Sequence, residues 1–343
     1  MTESTQTTQT EPRGIARYLP IVQWAPKYDR GWLRPDLIAG LTVAALVIPK
    51  SLGYAGIANV PIQNGLYAAA AGAIIYALFG TSKQIATGPS SALAAVAAGA
   101  VITAGVAAGS EESVALVAAI TFVTGILFLL LALFRMGWIS QFLSIAVITG
   151  FLFGAAIEVV AGELPKITGT EIEGSNSWQK LGSWISSLSD TDTLTLLVGV
   201  ISLVLIFGLR FAAPKVPGAL VLVVGGLLAS VIFDLGDAGV ALIGDVPRGL
   251  PSLALPDLDF VIDNIGVIVA SAFGLLLIGF SQTAGDARAF ASKHQYRIDI
   301  NQESLAQGVC NVGSGLVRAS PCLPASRRAR STTNPAPRRR WRR

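Results

Sequence analysis

Apolar windows of about 20 residues follow one another along most of the chain, separated by short polar breaks. That is the length a helix needs to cross the hydrocarbon core of a bilayer. The pattern predicts spans at roughly 36–58, 61–80, 86–107, 113–134, 138–161, 193–211, 216–236 and 260–283, with a weaker, more polar candidate at 300–317. Residues 1–35 are polar and rich in Thr, Gln and Pro. They lack a signal-peptide layout, because the apolar region starts too late and runs too long. Most spans are built from small residues, and 68–108 is largely Ala, Gly, Ser and Val. Small side chains let helices approach closely where lipid supplies no drive to associate.

Composition agrees with this pattern. Of 343 residues, 52% are hydrophobic and 13% charged, against about 25% charged in a soluble domain. This excludes a disordered chain, a coiled coil, a secreted disulfide scaffold and most soluble enzymes. One His (His294) and two Cys (Cys310, Cys322) supply no His/Cys metal cluster, no Cys-x-x-Cys pair and no His-dependent triad. No enzyme, metal or cofactor is therefore expected.

Charge orients the map. With the N-terminus in the cytoplasm, Arg13, Arg17, Lys27, Arg30, Arg34, Lys83, Arg135, Arg210, Lys215, Arg288, Lys293 and Arg297 lie inside. Only Lys166, Lys180 and Arg248 lie outside, as the positive-inside rule demands. The expected location is the cell membrane, multi-pass. The net charge of +4 misleads: nine of the 25 basic residues lie in 317–343, leaving 16 basic against 21 acidic in 1–316, a net of −5. A nucleic-acid partner is not expected.

Candidate chemistry is sparse. Gly88, Pro89, Ser90, Ser91 and Ala92 would open the third span. Proline suits a first helical turn, and the free N–H groups there can face an anion, aided by the positive helix end. Read alone, this is equally a Pro-initiated helix with serine caps. Lys50, inside the first span, could attract an anion, pair with Glu158 of the fifth span, or snorkel to an interface. Tyr54, one turn on, lines the same cavity or simply packs. Glu158 itself reads as an intramembrane functional carboxylate or as one snorkelling at an outer end. His294 reads as a solvated loop residue.

The stretch Asp36–Ala92 carries G-L-T-V-x-x-x-x-I-P, then P-x-x-x-G-L-Y, then Y-A-L-F-G-T-S, then G-P. In this order and spacing it resembles the opening of SulP-family anion transporters. Lys293–Gly308 (K-H-Q-Y-R-I-D-I-N-Q-E-S-L-A-Q-G) resembles the stretch after the family's eighth span. The resemblance covers about 30–316 and implies an all-α polytopic membrane protein of two inverted seven-segment repeats. This chain would hold the first repeat and the start of the second. In such folds two half-helices meet near the midplane around the anion. Sulfate is the first expected substrate, with bicarbonate, chloride and dicarboxylates as alternatives and a homodimer implied. A nucleobase permease on the same fold is disfavoured by the N-terminal signature. Gln282 falls where many family members carry a carboxylate tied to cation or proton coupling. An amide cannot titrate, so Asp286, one helical turn on, either supplies that charge or is a solvated residue beside Arg288.

Residues 317–343 hold nine Arg, four Pro and no acid. The family expects a G-F-P-V-S-G-S-L-S-K-S-A-V-N-like stretch here, forming its tenth segment. Val317 to Trp341 can be encoded, with suitable synonymous codons, by a string whose shifted frame reads S-G-F-P-V-S-A-S-L-S-K-S-A-V-N-D-Q-P-G-A-P-T-Q-V. The expectation is a cytoplasmic tail (1–35), a partial transporter domain of eight to nine segments (36–316) and a frameshifted tail (317–343). An inactive fragment of such a transporter is the alternative function. In that form 300–317 is expected to stay at the cytoplasmic face, because it carries Asn301, Gln302, Glu303, Ser304, Gln307 and Asn311.

Overall fold

The computed structural model describes residues 18–326, except 83, 143–144, 171–176, 214–215, 217, 241, 243–248, 250–252, 254–257, 295 and 297. The main helices are α1 (Leu33–Ile57), α2 (Gln63–Phe79), α3 (Ser91–Thr103), α4 (Glu111–Leu133) and α5 (Ile145–Thr168). They are followed by α6 (Ser177–Ser186), α7 (Thr193–Ala212), α8 (Gly218–Ile232), α9 (Ile265–His294) and α10 (Ile300–Leu316). Four of the described helices are long and apolar enough to cross a membrane: Arg30–Ile57, Glu111–Leu133, Thr193–Ala212 and Ile265–Ala291. The chain is a multi-pass membrane protein. Its α7 is apolar all round with no buried residue, and Val204, Phe207 and Phe211 are exposed, as expected of a lipid-facing surface.

Several elements differ from the sequence pattern. The fold is mainly helical but includes a two-stranded antiparallel sheet, β1 (Ile85–Gly88) with β2 (Leu323–Ser326). The third span is consequently a strand followed by a 13-residue half-helix. The fifth span is displaced: 136–142 is a 3-10 segment, and α5 runs on through Pro165 to Thr168. The polar residues that suggested an end at 161 are accommodated on the helix, with Lys166 paired to Glu163 at 3.0 Å. Likewise α9 continues eleven residues past 283, carrying Asp286 and Arg288 within a single helix. Helix α6, between α5 and α7, has no counterpart among the predicted spans because it is short and amphipathic. Its Trp184 indole N–H donates to Thr168 Oγ1 at 3.1 Å.

The core is a bundle of α1–α4, α9 and α10 around the sheet. Helix α10 does not stay at a membrane face; it packs along α4 and α2 inside the bundle. Glycines set that seam. A Cβ on Gly125 of α4 would lie 2.5 Å from the Val312 nitrogen of α10, and one on Gly308 would lie 2.9 Å from the Leu129 nitrogen. Only hydrogen at these positions allows the two backbones to approach so closely. The sheet bridges two apolar clusters. Leu323 of β2 packs with Tyr54, Leu93, Ala97, Ile120 and Leu275, whereas Ile85 of β1 packs with Tyr76, Phe128, Phe280 and Cys310. Packing continues past residue 316: Ala319, Ser320, Cys322 and Leu323 are all buried. Helices α5–α8 form a second group, joined chiefly to one another, with α8 also against α1.

Candidate functional site

The centre of the bundle is built from the bottom by α10. Its polar residues recur at i, i+4 and i+8, which places Glu303, Gln307 and Asn311 on one face. All three are buried, and this face turns inward because it finds partners there. Glu303 accepts from Tyr76 O–H at 2.7 Å, from Thr81 N–H at 2.8 Å, from Ser82 N–H at 3.1 Å and from the Thr81 hydroxyl. Gln307 Nε2 donates to Thr87 Oγ1 of β1 at 3.1 Å. Asn311 pairs with the backbone of Cys322 in both directions, at the entrance to β2. The polarity that suggested a surface helix thus serves buried backbone and hydroxyl groups, which are costly to leave unpaired.

From this support the chain passes through β1 into the half-helix. Gly88 and Pro89 are buried and lead to Ser90, the N-cap of α3, whose backbone is extended (φ −135°, ψ 155°). The Ser90 hydroxyl accepts from Leu93 N–H at 3.5 Å. Ser91 and Ala92 occupy the first turn, whose N–H groups have no carbonyl to reach within the helix. No other partner for these two N–H groups is found among the described residues. Ser90, Ser91 and Ala92 are half-buried. Within hydrocarbon, free donors are tolerated only where they line a cavity or meet a ligand.

Strand β2 runs antiparallel beside this entry, with Gly88 opposite Leu323 and Ile85 opposite Ser326. Strand β2 therefore runs in the direction opposite to that in which β1 enters α3.

Other sequence-predicted residues divide. Tyr54 is buried in the cluster that contains Leu93 and Ala94, the first turns of α3. Lys50 is exposed and its ammonium stands 5.3 Å from the Tyr54 ring centre, a cation–π contact that the sequence reading did not include. The side chains of Glu158 and His294 lie outside the described residues, and so does a Lys50–Glu158 pair. Gln282 Nε2 donates to the Pro324 carbonyl of β2 at 3.0 Å, tying α9 to the sheet. Asp286 corrects the expectation of a solvated carboxylate: it is only 9% exposed, with no hydrogen-bond or ionic partner among the described residues. Helix α9 carries it on the inward side with the buried Thr283 and Ala287. Burial arises because the helix continues into the bundle where the hydropathy pattern placed a membrane exit.

In the sequence Tyr76, Thr81 and Ser82 are motif residues with no distinct role, and Glu303 is expected only as part of a polar helix at a membrane face. Their two motifs are more than 200 residues apart, and one sequence does not reveal that they meet. Among the described residues no group of three or more His, Cys, Asp or Glu could hold a metal.

The Sulfate permease family profile matches residues 33–334. Among curated proteins, a probable sulfate transporter of Mycobacterium tuberculosis is 33% identical over 312 residues, covering 89% of this chain and 55% of its own length. Sulfate transporter 3.1 of Arabidopsis thaliana is 33% identical over 312 residues, covering 87% of this chain and 47% of its own. The chain thus spans about half the length of the curated relatives it matches. Among solved structures, murine Solute Carrier 26 family member A9 in the inward-facing state aligns with a TM-score of 0.77 at 21% identity, covering 94% of this chain and 57% of that one. The transmembrane domain of a cyanobacterium bicarbonate transporter aligns with a TM-score of 0.71 at 24% identity, covering 87% and 76%. These likenesses show the same fold, and the profile match over most of the length shows descent: the chain belongs to the sulfate permease family.

Proposed function

We propose that this chain is part of a secondary transporter of a small inorganic anion, sulfate first, in the cell membrane with its N-terminus cytoplasmic. The observation that carries the reading is the half-helix α3. Its first-turn amides, at Ser91 and Ala92, have no partner among the described residues and follow strand β1 of the central sheet. An oxyanion supplies the acceptors that such a turn lacks, and the helix end favours its charge. Gly88 and Pro89 set the approach, the hydroxyls of Ser90 and Ser91 add donors, and Tyr54 walls the site. Lys50, held over Tyr54, adds positive potential nearby. The names of the relatives, sulfate transporters in bacterium and plant, support sulfate over bicarbonate, chloride or a dicarboxylate.

Coupling is assigned to Asp286. Gln282 occupies the position where the resemblance implies a carboxylate, but its amide is engaged with Pro324. Asp286, four residues on in the same helix, is a buried carboxylate and takes that role. A homodimer follows from the family reading.

A second reading is that residues 1–343 bind the anion without carrying it. It is favoured by the Arg- and Pro-rich text after Val317, which departs from the stretch the resemblance implies there. The frame-shift proposal accounts for that text, and nucleotide sequence around codon 317 tests it. An in-frame gene with no family continuation in the other frame removes the proposal. Labelled-sulfate uptake into proteoliposomes separates the two functions. Uptake by 1–343 supports the transporter; uptake only by a frame-restored chain supports the non-transporting form; uptake by neither sinks the sulfate assignment.

A further inference from the structure

We propose that Glu303 of α10 is a positioning residue for the α3 anion site, acting through the turn that precedes β1. The inference rests on the anion-site reading above. The carboxylate is fully buried and has no ionic partner among the described residues. Such a charge is tolerated only where hydrogen-bond donors surround it. Its donors are Tyr76 O–H, Thr81 N–H, the Thr81 hydroxyl and Ser82 N–H. All belong to one short piece of chain, the last turn of α2 and the two residues after Gly80. Charge-assisted bonds of this kind are the strong ones and fix geometry as well as energy.

What that piece of chain does gives the contact its purpose. Thr81 and Ser82 precede β1 in the chain with two residues between, and β1 leads into Ser90 and the free amides of α3. The Ser82 hydroxyl continues the network to Tyr296 at 3.1 Å, whose own hydroxyl donates to Gln84 Oε1 at 2.9 Å. One turn further along α10, Gln307 holds β1 itself. The direction in which α3 presents its amides is therefore set from α10, and Glu303 carries the upstream end of that hold.

The test uses the full 343-residue chain in lipid nanodiscs, read by hydrogen exchange and by sulfate titration. The alanine variant Glu303→Ala removes every acceptor. The glutamine variant Glu303→Gln keeps an oxygen for the Thr81 and Ser82 donors and presents an amide N–H to the Tyr76 oxygen, so it preserves the geometry without the charge. The alanine variant is expected to speed exchange of 85–93 by at least about tenfold, with 111–133 nearly unchanged, and the glutamine variant to stay within about threefold of wild type. Sulfate affinity is expected to fall about tenfold in the alanine variant and to be kept in the glutamine variant. Wild-type exchange over 85–93 in the alanine variant overturns the proposal, and so does an equal rise throughout the bundle, which marks a merely structural role. Should the alanine variant not fold, Glu303→Asp, one methylene short of the turn, takes its place with the same expectations. A wild-type chain that binds no sulfate refutes the anion-site reading instead, and the exchange comparison still decides whether Glu303 holds β1.

Discussion

Asn311 clasps Cys322 in both directions: its Nδ2 donates to the Cys322 carbonyl at 3.0 Å, and its Oδ1 accepts the Cys322 N–H at 2.9 Å. A side-chain amide here stands in for a neighbouring strand and delivers the chain into β2. Asn311→Ala leaves two buried backbone groups without partners, at roughly 1–3 kcal/mol each. A lowered melting temperature and faster exchange over 320–326 are the expected outcome. Asn311→Asp keeps an acceptor for the Cys322 N–H but sets a carboxylate against the Cys322 carbonyl, to which it cannot donate, so it should be destabilising as well.

The seam between α4 and α10 predicts a sharp positional contrast among glycines. Gly125→Val drives a side chain into the Val312 backbone, and overpacking of this kind costs about 1–3 kcal/mol or more. Gly99, on the open side of α3, has nothing within 4 Å of its added carbon, so Gly99→Ala should be neutral or slightly stabilising. Size-exclusion profiles and melting temperatures in detergent distinguish the two.

Ser90 separates helix stability from anion binding. Its hydroxyl caps Leu93 N–H, so Ser90→Ala should lower stability by about 1 kcal/mol. Ser90→Asp keeps the cap but places a negative charge where the anion is proposed. Sulfate affinity should drop more than tenfold in the aspartate variant while the melting temperature holds. Equal affinity in the two variants would count against the site.

Acid stability of the α5–α7 junction should depend on Asp192. Its carboxylate caps α7 by accepting from Thr195 N–H at 2.7 Å and from the Thr195 hydroxyl, and these bonds hold its pKa below the ordinary carboxylate value. The folded value is the lower one, so the cap contributes fully above the unfolded carboxylate range, near 3.9, and is lost as pH falls through the folded value. Exchange at the start of α7, taken relative to the intrinsic amide rate at each pH, should be flat from neutral pH down to about 5 and rise below about 4. Asp192→Asn should remove that rise.

The helical body was legible because apolar windows of spanning length are a strong periodic signal, and the four motifs of Asp36–Ala92 located the half-helix and its amides. What the sequence hid is long-range. Glu303 and Tyr76 read as separate motifs, and Asn311 read as a reason to keep α10 at a membrane face. Hydropathy scores each polar side chain as if it faced lipid. It cannot register that one polar face of α10 meets a hydroxyl of β1 and the backbone of the segments that lead into the two strands. The solvated alternative for Asp286 fails for the same reason: its helix continues into the bundle where the pattern placed an exit. The sheet itself was invisible, since its strands are four residues long and the second lies in the Arg- and Pro-rich text.

The central claim is that the first-turn amides of α3 hold an oxyanion, and calorimetric titration of sulfate into the purified chain tests it most directly, with Ser91→Trp as the comparison. The account predicts saturable binding by the wild-type chain and at least about a tenfold loss in the tryptophan variant, with the melting temperature within a few degrees. Undiminished binding by that variant, or none by the wild-type chain, would contradict it.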